Sequence, residues 1–557
     1  MKNFELDKKQ YYEFDDLNKE IIFHKIEMPS PWINYLTNGE FFTMMSHAGG
    51  NLSWYKTPET WRIGRYPFFN LPTDGNGLFI YIKDLETNLV WNPNIIPTNT
   101  KLDSFESRHG LGYTRFISSK GGIKAELICF VGKDNALIYK LRLTSDKDKK
   151  IQLFSAKEMA NMEYMKEVQW ECYTRNSQNI FYKKDLDCLL YNYFIDAQGR
   201  PEETPDVFFT STIDSSSYTA VRRDFTGYYR DLSNPVCIEK GICPNTELLG
   251  GEGIFACSYD VELKANEPFE ISFILGTIEH GEDYHNTVKK FKDEKYIDSL
   301  FEGLKEKWNN KLAKFHIETG NKDFDSMVNI WNPYQVYNVF YVCREISFYA
   351  TGSVRGIGVR DSSQDALSNV MFDLDATKAK ICDILSEQYK CGKTTHYYYH
   401  FENRPSLISD RSDNHLWIIY TIYEYIMESG DLSILDEVVP YYDCGEGTIL
   451  EHMNASIKFS MDNLGSHNIP LMLGSDWNDC LNTVCQKGKG ESVMVAEQSV
   501  LAAKNLKEIY DLKKLDSTWL EDVISFQTKV INETFFDVDH YVRATTDSGL
   551  FVGGNKE

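Results

Sequence analysis

No stretch of this 557-residue chain reaches the roughly 18 uninterrupted apolar residues that a membrane-spanning helix needs, so nothing in it reads as a transmembrane segment. The opening residues, Met1-Lys2-Asn3-Phe4-Glu5-Leu6-Asp7, lack the apolar centre of a secretory signal. Cysteine is thinly spread. Among the twelve cysteines the tightest pairs are Cys237 with Cys243 and Cys480 with Cys485, and neither spacing fits a zinc ribbon or a redox motif. A reducing, cytoplasmic setting with free thiols is the simplest account. Basic residues are outnumbered, 59 Lys and Arg against 82 Asp and Glu, and the net charge of -23 argues against nucleic acid or anionic membrane as a partner. A local basic pocket for a small anion is still compatible with that balance. Exact repeats and low-complexity tracts are also missing.

What is present is enough apolar material for a large core. Hydrophobic residues make up 42% of the chain, and its length calls for two or more domains. Aromatics reach 14%, which suits carbohydrate binding, although most aromatics in any protein are core. Residues 1–280 read as β. Short apolar or alternating runs recur at 77–82, 123–131, 136–143, 207–210 and 269–276, with glycine pairs at 49–50, 121–122 and 250–251 marking turns. So many strands predict a two-sheet β-sandwich. Residues 281–319 carry apolar positions at helical spacing and predict two linker helices. From about 320 to 557 the pattern predicts helices to the end of the chain, at 324–340, 376–389, 414–428, 448–461 and 492–510 among others. Polar loops rich in aromatics and charges lie between them, where function is expected.

The most informative of these loops is Gly474-Ser475-Asp476-Trp477-Asn478-Asp479-Cys480-Leu481-Asn482. Its two carboxylates are three residues apart and would share a face of a helical turn. A carboxylate can protonate a glycosidic oxygen, and an indole offers a flat apolar surface to the C–H face of a sugar ring. A capped helix start explains the same residues equally well. A second concentration spans 344–365, with Arg344, Arg355, Arg360 and Asp361 beside glycines at 352, 356 and 358. Glycines there would permit close approach of a ligand, and arginines can fork onto phosphate or sugar hydroxyls. The dinucleotide pattern G-x-G-x-x-G is absent. A surface loop with ion pairs is the competing reading. His396 and His400, four apart with Glu402 nearby, would chelate a metal only if helical, and no second signature accompanies them, so no metal is assigned. Asp413-Asn414 before Leu416-Trp417 reads as a helix N-cap.

Five separated stretches taken together resemble the inverting β-glucoside phosphorylases of glycoside hydrolase family 94, which include cellobiose, chitobiose, laminaribiose and cellodextrin phosphorylases. They are Pro31–Leu36, Ser107–Thr114, Met327–Asn332, Arg355–Asp365 and Asp476–Asn482, in the family's order. The resemblance implies an N-terminal β-sandwich, a helical linker and an (α/α)6 barrel, here incomplete at its C-terminus. It implies phosphorolysis of a β-linked glucose disaccharide or oligosaccharide to α-glucose 1-phosphate and a free sugar. By motif, Asp479 would be the general acid, Arg355, Asp361 and Trp477 would hold the transferred glycosyl unit, and Arg344 would contact phosphate. Inorganic phosphate would be the co-substrate, with no other cofactor, and a homodimer is expected.

The expectation fits the chemistry. A hydrolase needs a second carboxylate to activate water, whereas phosphate is already an anion and needs cations to gather it. For Asp479 to donate a proton near neutral pH its pKa must be raised, and burial against Trp477 would do that. The chain stops at Glu557, partway through the expected barrel, and the histidine and Thr-Gly pair of the family's phosphate site have no counterpart in it. Two alternatives stay open. One is an inverting β-glucoside hydrolase with Asp365 or Glu491 as base, and the other is a sugar-binding fragment without turnover. The Ser412–Trp417 run looks nearer the laminaribiose or oligoglucan enzymes.

Overall fold

The computed structural model describes residues 11–65, 76–161, 167, 169–193, 204–279, 281–343, 356–399 and 406–555. It separates into two compact units, one made mainly of Met1–Asn310 and the other mainly of Arg355–Glu557.

The first unit is built from antiparallel sheets. The largest has eleven strands, running from Tyr12–Asp15 at one edge through Tyr113–Lys120, Ile123–Gly132, Ala136–Ser145 and Phe269–Ile278 to Gln178–Lys183 and Leu248–Leu249. Alternation sets its faces: Ile123, Ala125, Leu127 and Cys129 are buried while Lys124 between them is exposed. Gly121 and Gly122 close the hairpin at φ of 60° and 79°, the positive values a two-residue type I′ loop requires. A five-stranded sheet (Ser217–Val221, Gly253–Leu263, Lys149–Glu158, Leu78–Asp84, Val90–Trp91) and a four-stranded sheet (Ile33–Thr37, Phe41–Ser46, Asn51–Tyr55, Arg62–Ile63) complete the unit.

Leu78–Asp84 is buried at every position because both of its faces are covered. Phe79 and Tyr81 lie under Phe225, Leu232, Cys237 and Ile238. Sheets are tied together by polar contacts that satisfy buried groups: the Asn51 amide donates to the Tyr139 hydroxyl at 2.8 Å, and the Asn34 amide donates to the carbonyls of Gly110 and Tyr113. Two helices follow, Tyr284–Lys290 and Glu294–Leu312, and Ile297 and Leu300 of the second pack on Phe130, Ile138 and Phe208 of the large sheet.

The second unit is mainly helical. Val359–Asn369, Leu374–Leu385, Asn414–Ser429, Ile449–Asp462, Val493–Lys513 and Thr518–Thr534 share one core that includes Ile381, Ile384, Leu416, Ile419, Ile422, Met453, Ile457 and Leu506. Their ends are chemically marked. Asp373 and Ser492 accept from backbone N–H groups in the first turn, Thr448 and Glu451 form a reciprocal capping box, and Gly430 ends its helix in the left-handed conformation.

Two expectations are corrected here. The predicted helix at 324–340 is interrupted: α-helical Lys322–Ser326 and Asn332–Asn338 alternate with wider π turns at Met327–Trp331 and Val339–Cys343. Pro333 has no N–H to give to an α ladder, and the chain widens before it. Nor is the chain helical to its end. Phe536–Asp537 pairs with His540–Tyr541, and Ala544–Thr545 joins Glu491–Ser492 and Phe551–Val552 in a small sheet. Turn formers cluster there, and no apolar stripe at helical spacing continues past Phe535.

Candidate active site

Four loops of the second unit are pinned to one another at the start of the Val359–Asn369 and Asn414–Ser429 helices. Ile357 and Gly358 pair with Tyr398 and Tyr397, and the Val359 N–H donates to the His396 carbonyl at 3.1 Å. The glycines serve this packing rather than ligand access. A Cβ on Gly356 would sit 2.5 Å from the Tyr397 ring and 2.7 Å from the Tyr398 carbonyl, and one on Gly358 would overlap the Asp361 carboxylate. Gly352 lies outside the described residues. The loop at 410–412 is stitched to 473–475 by Gly474 N–H to Asp410 O at 2.8 Å and Ser412 N–H to Ser475 O at 3.1 Å.

At the junction sits Arg360, buried, with its guanidinium shared among three acceptors. One terminal nitrogen donates to Asp479 Oδ1 at 3.0 Å. The other donates to the Asp476 carbonyl at 3.0 Å and lies 3.5 Å from Asp413 Oδ1. Arg411 approaches the same Asp479 oxygen at 3.4 Å, and the Ser475 hydroxyl donates to it at 3.4 Å. Asp361, in the first turn of the Val359–Asn369 helix, faces Arg360 as well.

The three aspartates of this region meet three different environments. Asp476 is wholly enclosed and held by both terminal nitrogens of Arg543 at 2.7 Å, by the Ser492 hydroxyl at 2.6 Å and by the Asn478 N–H at 2.9 Å. Burial raises its pKa, but these donors outweigh burial and the net shift is downward. Asp413 is equally enclosed, accepts from Trp417 Nε1 at 2.9 Å, and burial leaves its pKa raised. Asp479 is open to solvent, with 56% of its side chain exposed.

That exposure corrects the expected rise in the Asp479 pKa. Burial is the largest single influence and pushes the carboxyl up, yet the hydrogen bond from Arg360 and the charges of Arg360 and Arg411 together leave it below its ordinary value. Trp477 does not enclose it, being itself 54% exposed. Asp476 and Asp479 do not share a helical face either. Only Asp479–Thr483 is helical, a 3-10 turn capped by the Asn478 side chain, which accepts from Cys480 N at 3.1 Å.

Of the other sequence-derived site residues, Asp361 belongs to this junction, whereas Arg344 and Arg355 lie outside the described residues, as do His400 and Glu402. The Asp413 cap is corrected. Its side chain caps no N–H of the Asn414–Ser429 helix and serves Arg360 and Trp417 instead. Glu491, a nominated base, is completely buried and engaged by His467 and by Thr545 Oγ1, and Asp365 is buried within the Val359–Asn369 helix. Sequence reading weighed His396 only as a metal ligand, and it missed Arg543. Burial and the positive charges of Arg411 and Arg360 bring the His396 pKa down to about 4, so its ring is neutral at pH 7. No sequence signal pairs Arg543 with Asp476, which lies 67 residues away.

Two family models match the chain: the supersandwich domain of glycosyl hydrolase 94 over residues 19–294, and the catalytic domain of the glycosyl hydrolase 94 superfamily over residues 307–557. Among curated relatives, the N,N'-diacetylchitobiose phosphorylase of Vibrio proteolyticus is 32% identical over 98% of this chain and 70% of its own length. The enzyme of the same name from Vibrio furnissii is 32% identical over 87% of this chain and 63% of its own length. The solabiose phosphorylase of Paenibacillus borealis is 28% identical over 98% and 69%. The chain therefore spans between 63% and 70% of the length of these relatives.

Proposed function

Because this chain belongs to the glycosyl hydrolase 94 superfamily, we propose that it cleaves a β-linked disaccharide or oligosaccharide with inorganic phosphate, giving an α-sugar 1-phosphate and a free sugar. The observation that carries the reading is a solvent-reachable carboxylate, Asp479, held between Arg360 and Arg411 beside an exposed indole, Trp477. Trp477, Asp361 and Arg355 hold the transferred sugar, and Arg344 contacts phosphate. The helices of the second unit belong to an (α/α)6 barrel.

A phosphate oxygen attacks the anomeric carbon from the face opposite the leaving group. The C1–O bond to the second sugar breaks, its oxygen takes the proton of Asp479, and configuration inverts from β to α. The proton carried by the attacking hydrogen phosphate then restores the acid. In the empty site Asp479 is a carboxylate. An incoming phosphate dianion competes for the arginines and adds like charge, and both effects raise the Asp479 pKa until it can hold a proton. A hydrolytic route finds little support, since Glu491 is sealed from water by its own partners. The transferred unit is glucose or N-acetylglucosamine, the latter in keeping with the names of the relatives at 32% identity.

The test is to incubate the chain with a panel of β-linked glucosyl and N-acetylglucosaminyl disaccharides, with and without phosphate, and follow the anomeric signals by NMR. We expect phosphate-dependent release of an α-1-phosphate. Asp479→Asn should lower the rate by about 10²–10⁴-fold, the usual range for a lost general acid. Equal cleavage without phosphate would mean hydrolysis, and sugar binding without any 1-phosphate would mean a binding protein.

A further inference from the structure

Arg360 has a problem that its contact with Asp479 cannot solve alone. Its side chain is only 9% exposed, and a guanidinium taken out of water needs a counter-ion at all times. If Asp479 is to act as an acid it must spend part of each turnover neutral, and in that state it offers Arg360 no charge. We propose that Asp413 is the positioning residue that fills this gap: it is the standing counter-ion of Arg360, and it lets Asp479 take up a proton without leaving a buried cation unpaired. The inference rests on the reading of Asp479 as the general acid.

The geometry is a relay. Trp417 Nε1 donates to Asp413 Oδ2 at 2.9 Å, Asp413 Oδ1 lies 3.5 Å from Arg360, and Arg360 donates to Asp479 at 3.0 Å. The two carboxylates flanking the arginine differ in one respect. Asp413 has no exposed surface, and among the described residues its ion-pair partner is Arg360, whereas Asp479 is more than half exposed and can exchange a proton with substrate. The indole pins Asp413 by a hydrogen bond that an asparagine oxygen would accept equally well, so the charge at 413 is not explained by Trp417. Burial works against a charge at 413, so a carboxylate there depends on the guanidinium of Arg360 beside it. Other titratable or charged groups face the relay. Asp361 faces Arg360, Arg411 and His396 face Asp479, and Asp476 faces Asp413 but is neutralised by Arg543. Asp361 is committed to the sugar in the proposed mechanism, which leaves Asp413 as the carboxylate with no other duty.

The consequence is a defined shift in the pH dependence. Asp413→Asn keeps the acceptor for Trp417 and removes the charge, so Arg360 would draw more heavily on Asp479 and hold it ionised. We expect the basic limb of kcat for phosphorolysis to move to lower pH by about one unit, with kcat at pH 7 down about tenfold. Arg360→Lys keeps the charge but loses the fork that grips Asp479, and should move the same limb upward. A uniform loss of kcat in Asp413→Asn at every pH, with the limb unmoved, would assign Asp413 a structural role and overturn the proposal. If that variant fails to fold, Arg360→Lys decides, and a limb that stays put or moves down overturns it. A wild-type chain that releases no sugar 1-phosphate removes the functional reading and this inference together, whereas an active wild type with an unmoved limb in the variants removes this inference alone.

Discussion

Asp413, Asp476 and Asp479 are the same side chain put to three uses, and the difference lies in what donates to each. Two donors from Arg543 and one each from Ser492 and Asn478 keep Asp476 ionised inside the protein. Among the described residues Asp413 meets an indole and one guanidinium at 3.5 Å, and Asp479 meets two arginines and solvent. A lowered pKa at Asp479 means the free protein carries a carboxylate there through the neutral range. Because bound phosphate pushes that pKa up, the basic limb of kcat, which reports the loaded enzyme, should lie at higher pH than the basic limb of kcat/KM, which reports the free one. Initial rates across pH at saturating and at low phosphate would check it. Coincident limbs would mean that the anion does not reach Asp479.

At the scale of elements, the loop bearing Trp477 and Asp479 is held from behind by the Asp476–Arg543 pair, with Arg543 adjoining the short strand Ala544–Thr545. Removing Arg543 strands the fully enclosed carboxylate of Asp476. Arg543→Met should therefore cost about 3–5 kcal/mol at neutral pH, read from urea denaturation of the second unit. The sign of the pH dependence follows from the lowered pKa of Asp476. Its stabilisation is present above the ordinary carboxylate value of 3.8 and is lost as pH falls through the folded-state pKa, so the gap between wild type and variant should close on acidification below 3.8. A gap that persists at low pH would show that Arg543 acts through packing instead. Gly474 matters at the same scale. A Cβ there would lie 2.5 Å from the Asp410 carbonyl and force apart the two loops that bring Arg411 to Asp479.

The whole molecule contains two units with separate cores, so its unfolding need not be a single two-state event. The described site residues belong to one of them. A ligand that binds only folded protein stabilises it by mass action, about 2.7 kcal/mol at a hundredfold excess over Kd. Phosphate together with a β-linked disaccharide should accordingly raise the calorimetric transition of the second unit and leave that of the first in place. No shift of either transition would count against a phosphate site in this chain. The net charge of -23 makes the outcome informative, since an anion has to be held against the overall field by arginines close at hand.

Much of this was legible before folding was considered. Strand alternation in 123–131 and 136–143, the helical stripe through 284–315, and the paired glycines at 121–122 are all local signals, because side-chain period and turn chemistry depend on neighbours a few residues away. Asp479, Trp477 and Asp361 stood out for the same reason, as unusual residue types close together in sequence. What only the tertiary structure decided is which carboxylate is paired, buried or free. Arg360 meets Asp479 across 119 residues and Arg543 meets Asp476 across 67, and no local pattern encodes either meeting. Charge state depends on solvent access and on partners brought from afar, so the chain by itself named its carboxylates, and folding assigned each of them its proton.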